Sequence, residues 1–228
     1  MTTNLLWSWW FRTTYLTSRC FDALKGKGVF GADSRNDALK FVAIGVSLSV
    51  FVSISVYVAA VEFNLNNDLA SIIFAGCGSV LVYRGTNERF VFRKTSIYMT
   101  IFGAGTAIIA HYFILDSGET VSIGSMNIYM LILSFINVCV ITPFFEELAV
   151  RGLLFTGLSR LLNIPLSSLL VSLLFAYAHL YMFGWAFAVS MMLCFVTGLG
   201  VKTIDRTLFH GSYNAVVFFI SLLPLISK

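Results

Sequence analysis

The sequence predicts an all-α fold, a polytopic transmembrane helix bundle of about seven spans plus an N-terminal interfacial helix. Three observations lead there: the scarcity of charge, the length of the apolar runs and the one-sided placement of the basic residues. Hydrophobic residues make up 58% of the 228-residue chain, charged residues 11%, and the mean hydropathy is +0.86. A water-soluble chain carries roughly 25% charged residues. So few charges cannot cover a water-facing surface, and lipid is the solvent this composition fits. A nucleic-acid binder is excluded, because the net charge of +4 is spread over the loops between apolar runs.

In chain order, Leu5-Leu6-Trp7-Ser8-Trp9-Trp10-Phe11-Arg12 is aromatic and then basic. A secretory signal has the reverse order, so this stretch reads as an interfacial helix on the inner leaflet. Residues 22–38 read as a solvated linker. The division is therefore 1–40 as a cytoplasmic or interfacial segment and 41–228 as one membrane domain, with motifs in 144–215. Seven apolar runs follow, at 41–61, 68–83, 97–115, 126–145, 165–181, 184–200 and 207–226. A bilayer core of ~30 Å takes roughly 20 apolar residues as helix. Helix is the element expected, because an open strand would leave backbone groups unsatisfied in lipid. Residues 151–162 form a helix of their own or prolong the fourth run, and Asn163-Ile164-Pro165 reads as a stop and restart, proline suiting a first turn.

In an alternating seven-span arrangement, fourteen of the fifteen Lys and Arg residues fall on one side. The positive-inside rule then puts the N-terminus in the cytoplasm, with Arg151, Arg160, Lys202 and Arg206 in cytoplasmic loops and Asp68 outside. Cys20, Cys77, Cys139 and Cys194 lack the pattern of a disulfide framework or a metal site.

Ionisable groups inside apolar runs are expensive and call for an explanation. Glu146 and Glu147 follow Pro143-Phe144-Phe145, and Arg151 comes four residues later. His179 lies in Phe175-Ala-Tyr-Ala-His179, and His210 and Asn214 lie in the last run. At i,i+4 spacing Glu147 shares a helix face with Arg151, Phe175 with His179, and His210 with Asn214. Glu146 projects about 100° away from Glu147. Two adjacent carboxylates in a low dielectric do not both ionise freely without a cation. The simplest division pairs Glu147 with Arg151 and turns Glu146 toward a polar cavity. Each group alone has a plain alternative, a solvated membrane-edge charge or a packing histidine. Their occurrence together on three separate apolar elements favours function.

Glu-Glu-x-x-x-Arg (146–151), Phe-x-x-x-His (175–179) and His-x-x-x-Asn (210–214) resemble, in order and interval, the CAAX protease and bacteriocin-processing family (CPBP, or Abi) of intramembrane peptidases. Gly152-Leu153-Leu154-Phe155 is similar to that family too. The resemblance covers about 140–220. It implies a hydrolase in which Glu146 activates water with help from His179. His210 and Asn214 stabilise the oxyanion, while Glu147, Arg151 and Phe175 support the site. It also implies a membrane-associated protein or peptide substrate: a prenylated Cys-a-a-X tail, a bacteriocin or pheromone precursor, or a C-terminal anchor. Zinc is left open, with Glu146, His179 and His210 as its ligands if it binds. The His-Glu-x-x-His spacing of soluble zinc peptidases is missing, which favours a metal-free glutamate mechanism. Small size and short loops favour a bacterial inner membrane, and with it the last two of these substrates. From other classes, the same groups suit a proton relay in a small transporter, against which stands the lack of repeats, or a non-catalytic immunity or scaffold protein.

One expectation is awkward. Counting from the loops puts Glu146 and His210 near the cytoplasmic side and His179 near the far end of its run. A continuous helix through 146–162 would bring Glu146 and His179 to one depth. His210 then stays shallow, unless its helix begins within the membrane or 182–206 falls short of a full span.

Overall fold

The computed structural model describes residues 35–84, 90–114 and 127–226. The proposed interfacial helix, Cys20 and Lys228 lie outside the described residues. Those described form an all-helical bundle with no strand among them. Seven helices lie close to the seven apolar runs: α1 (Arg35–Glu62), α2 (Asn67–Arg84), α3 (Lys94–Ile114), α4 (Ile128–Leu161), α5 (Ile164–Ala178), α6 (Phe183–Gly198) and α7 (Thr203–Ile226). Helix α1 begins before the expected linker ends, so Arg35–Lys40 are its first turns rather than tail.

Two of these helices, α1 and α4, are long and apolar enough to cross a membrane. The distribution of side chains says more about the solvent. Val50, Ile54, Ile101, Ile108, Leu174 and Phe195 are exposed, whereas Glu147, Arg151, Ser172, Ser190, Asp205 and Arg206 are buried. Apolar groups outside and charges inside is the arrangement that lipid, not water, favours.

Asparagines start three of the helices. The Oδ1 atoms of Asn66, Asn127 and Asn163 accept from the backbone N–H groups of Leu69, Met130 and Leu166, each satisfying one of the donors that a first turn leaves open. At Asn163 this is the stop and restart expected from the sequence, with Pro165 in the first turn. Just past the cap of α6 at Leu199 stands Gly200, whose φ of +80° is open to glycine. There the N–H of Val201 reaches Val196 O and that of Gly200 reaches Thr197 O, the pairing of a Schellman cap.

Helix α4 runs through the middle. Its Leu148 and Leu153 pack with Ala38, Phe41 and Val82 of α1 and α2, and its Phe155 packs with Val171 of α5 and Cys194 of α6. Residues 151–162 do prolong the fourth run, since α4 is continuous for 34 residues. Helices α5 and α6 are short, at 15 and 16 residues, so each rises roughly 22–24 Å at 1.5 Å per residue. They form a hairpin whose bend, His179 to Met182, falls short of a ~30 Å hydrocarbon core. Helix α7 lies against α3 so closely that a Cβ on Gly103 would sit 2.1 Å from Phe209 O.

Candidate active site

The site starts from an irregularity in α4. Pro143 has no N–H to give to the preceding turn, and the helix answers by widening. Asn137–Ile141 is π-helical, Thr142–Glu146 is α-helical, and Glu147–Phe155 is π-helical again. The N–H of Thr142 bonds Asn137 O, the next donor being the missing one of Pro143. Asn214 of α7 joins this turn, its Nδ2 donating to Val138 O at 2.8 Å. Three residues earlier, Gly211 lets α7 come close, because a Cβ there would stand 2.4 Å from Cys139 O. Wide turns of this kind are frequent at functional sites, and here two of them flank the glutamate pair.

The two glutamates have separate fates. Glu147 is fully buried with cations on both oxygens: Arg151 Nη1 lies 3.2 Å from Oε1 and Arg206 Nε 3.2 Å from Oε2. His210 Nδ1 also meets Oε1, at 3.3 Å. The Arg151 contact is one of charge, its Nη1 lacking hydrogen-bond alignment, while its Nη2 donates to Ser190 Oγ at 2.9 Å. Removing one partner of so deeply buried a pair costs about 3–5 kcal/mol, because the other charge is stranded. The pairing of Glu147 with Arg151 follows the i,i+4 expectation.

Glu146, one residue earlier, keeps 17% of its side chain exposed and meets His210 Nε2 at 3.6 Å. His210 thus stands between the two carboxylates. Glu146, Phe175, His179, His210 and Asn214 all line a cavity of ≈ 480 Å³ among α4, α5, α6 and α7. Phe175 organises one wall. The Arg151 guanidinium lies 4.3 Å from its ring centroid, the His179 ring stacks on it at 4.4 Å, and the His210 ring meets it edge-on at 6.1 Å. His179 ends α5, and its Nδ1 is 2.8 Å from Phe175 O, which leaves Nε2 for the cavity.

All seven residues singled out from the sequence therefore gather around one cavity and the buried ion cluster behind it. The awkward depth of His210 is resolved in two ways. Helix α7 begins at Thr203, earlier than the apolar run suggests, so His210 lies two turns inside it. The hairpin of α5 and α6 is also too short to carry His179 to the far surface.

Other expectations are corrected. Arg151 and Arg206 are not loop charges but buried partners of Glu147. Asp68 is not a free outer-loop charge: it accepts from the Ser134 hydroxyl and, at 2.8 Å, from Asn137 Nδ2. Arg206 and Ser190 were missed. For Arg206 a signal existed, since it stands four residues before His210, the same one-face spacing that pairs Glu147 with Arg151. Buried Asp205 anchors the same turn of α7 to α3 by accepting from Thr95 Oγ1 at 3.1 Å.

Among the described residues no three His, Cys, Asp or Glu side chains gather as metal ligands. Of the set named for zinc, Glu146 Oε2 and His210 Nε2 stand 3.6 Å apart and His179 lines the same cavity, while Glu147 holds His210 Nδ1 as an outer carboxylate would behind a metal-binding histidine.

Comparison with known proteins covers the segment that holds this site. Residues 128–216 match the model of a family described as Type II CAAX prenyl endopeptidase Rce1-like. Neither the curated proteins nor the solved structures gave a match to the chain. The matched segment runs from the start of α4 into α7 and contains Glu146, Glu147, Arg151, Phe175, His179, Arg206, His210 and Asn214. Over residues 128–216, the part that bears the site, the chain is similar to the Rce1-like CAAX endopeptidases, which are hydrolases.

Proposed function

We propose that the chain is an intramembrane endopeptidase that cleaves a membrane-associated protein or peptide, with Glu146 as the base that activates water. The observation that carries this reading is the division of labour between neighbours. Glu147 is consumed by cations in the core, while Glu146 borders a cavity with a histidine at 3.6 Å. A base needs an accessible carboxylate within reach of water and substrate, and of the two only Glu146 has one.

Glu146 takes a proton from a cavity water, with His179 Nε2 holding that water on its other side. The oxygen attacks the scissile carbonyl carbon, and the negative charge moves to the carbonyl oxygen. His210 and Asn214 receive that charge. Asn214 Nδ2 carries two hydrogens. One is held by Val138 O, which fixes the amide so that the second faces the cavity without reorganisation at the moment of reaction. His210 is held by Glu147 at Nδ1, which turns Nε2 toward the cavity and the developing oxyanion. As the tetrahedral species collapses, the C–N bond breaks and Glu146 returns its proton to the leaving amine. No step is routed through a metal.

The rest of the cavity wall is apolar, with Leu131, Val138, Met182, Trp185, Val217 and Phe218. This suits a cleavage point flanked by apolar residues or a lipid group. Among the candidates, a prenylated Cys-a-a-X tail fits the family description directly. The basic residues that remain outside the ion cluster still favour a cytoplasmic N-terminus, and a bacterial inner membrane stays our reading.

The test is cleavage of a prenylated Cys-a-a-X peptide by the full chain in proteoliposomes, with peptidomics of cells carrying wild type or Glu146→Ala. Cleavage lost in Glu146→Ala, with insertion and folding intact, is expected. Undiminished cleavage by that variant would sink the assignment, and proton flux without cleavage would point to a transporter.

A further inference from the structure

We infer that Arg206 is a positioning residue of the site, one that sets the orientation and donor face of the His210 ring by occupying one oxygen of Glu147. The inference rests on the reading of Glu146 and His210 as groups that meet the substrate.

Glu147 has two oxygens and three partners. Arg151 comes from its own helix, one turn on, and Arg206 and His210 come from α7, one turn apart. Arg206 Nε takes Oε2 at 3.2 Å, and Oε1 is left to His210 Nδ1 at 3.3 Å and Arg151 Nη1 at 3.2 Å. With Oε2 occupied, the carboxylate cannot rotate to offer His210 a different oxygen. The ring is held with Nδ1 toward the core and Nε2 toward Glu146 and the cavity. A histidine whose Nδ1–H is bound by a carboxylate has its second nitrogen defined by that bond.

Arg206 is itself held rigidly. It is buried, at 3% exposure. Its Nη1 donates to Val201 O at the Gly200 cap, and its Nη2 donates to Thr203 Oγ1 at 3.2 Å. Next to it, Asp205 is tied to Thr95 and Ser96 of α3. The turn between α6 and α7 therefore fixes a guanidinium fork, and the fork fixes the carboxylate that fixes the imidazole. Lysine has no such fork: it could neutralise Glu147 but could not reach Glu147, Val201 O and Thr203 together in this geometry.

The test compares full-length wild type, Arg206→Gln and Arg206→Lys in nanodiscs by two readouts. The first is ¹⁵N spectroscopy of histidine-labelled protein. The chain has three histidines, so His111→Gln and His179→Gln variants assign His210. The second is steady-state cleavage of the prenylated Cys-a-a-X peptide. We expect the His210 Nδ1–H signal of wild type to give way, in Arg206→Gln, to exchange between ring tautomers. We also expect kcat to fall on the order of 100-fold, the scale of a 1 Å misplacement, with KM little changed. Arg206→Lys should recover part of both. A His210 spectrum unchanged in both variants, or a loss confined to KM, overturns the inference. If Arg206→Gln does not fold, the spectrum of Arg206→Lys decides alone. If Glu146→Ala proves active, the catalytic reading fails instead, and the His210 spectra still decide whether Arg206 sets the ring.

Discussion

Asn214 Nδ2 donates to Val138 O at 2.8 Å, joining α7 to a carbonyl of α4 in the turn widened ahead of Pro143. The bond does two things. It satisfies a backbone acceptor on a lipid-facing turn, and it holds a side-chain amide at the cavity wall with one hydrogen to spare. Asn214→Asp removes the donor and sets a carboxylate against the carbonyl. It should abolish peptide cleavage and cost about 0.5–1.5 kcal/mol, the range for one lost hydrogen bond, measured by denaturation in detergent micelles. Normal cleavage by this variant would remove Asn214 from the oxyanion role.

Pro143→Ala tests the origin of the same feature. Alanine returns an N–H at position 143, which can bond within α4 and compete with Asn214 for the Val138 carbonyl. A regularised helix turns Glu146 away from His210, 3.6 Å distant in the native site. Cleavage should drop at least tenfold while helix content and melting temperature hold or rise. Unchanged cleavage would mean that the widened turn does not aim Glu146.

The two glutamates should separate cleanly. Glu147→Gln strands the buried guanidinium groups of Arg151 and Arg206, and should cost about 3–5 kcal/mol of stability. Glu146→Gln keeps the shape of a side chain at the cavity and should leave stability within about 0.5 kcal/mol while eliminating cleavage. The check is melting and cleavage of both variants side by side; equal destabilisation would contradict their division into core and cavity.

Phe175 lies between Arg151 and His179, at 4.3 and 4.4 Å. Phe175→Leu keeps an apolar group but loses the ring face, worth about 0.5–2 kcal/mol toward a desolvated guanidinium. It should also free the His179 ring, lowering kcat more than it raises KM. A purely structural role would instead reduce the amount of folded protein and leave its kcat intact.

Two glycines form a controlled pair. In Gly211→Ala the new Cβ meets Cys139 O at 2.4 Å, backbone to backbone, and α7 must move as a unit. About 1–3 kcal/mol of overpacking and a loss of cleavage are expected. At Gly105 nothing stands within 4 Å of a new Cβ, so Gly105→Ala should be neutral or stabilise by up to about 1 kcal/mol through helix propensity. Thermal denaturation of the two variants in micelles is the check.

Much of this was legible along the chain. Apolar runs are one-dimensional signals, and all seven have a helix close to their position. Spacing along one helix is also one-dimensional, so the pairing of Glu147 with Arg151 and the stacking of Phe175 on His179 could be read four residues at a time. The motif order pointed to the family that residues 128–216 match. What failed was whatever depended on depth. Arg206 counted as a loop charge because a sequence does not tell a basic residue facing headgroups from one facing a glutamate on another helix. His210 looked shallow because its helix starts in polar residues, among them Asp205 and Arg206, whose buried partners lie more than fifty residues away in the chain.

The sequence by itself determined the solvent, the helices and the family resemblance of residues 128–216, because hydropathy and i,i+4 spacing are properties of neighbours along the chain. Only the tertiary structure decided which glutamate faces the cavity. Glu146 and Glu147 are identical in chemistry and adjacent in sequence, and the choice was made by the phase of a helix widened around Pro143 and by Arg206 and His210 arriving from α7 to claim one of them.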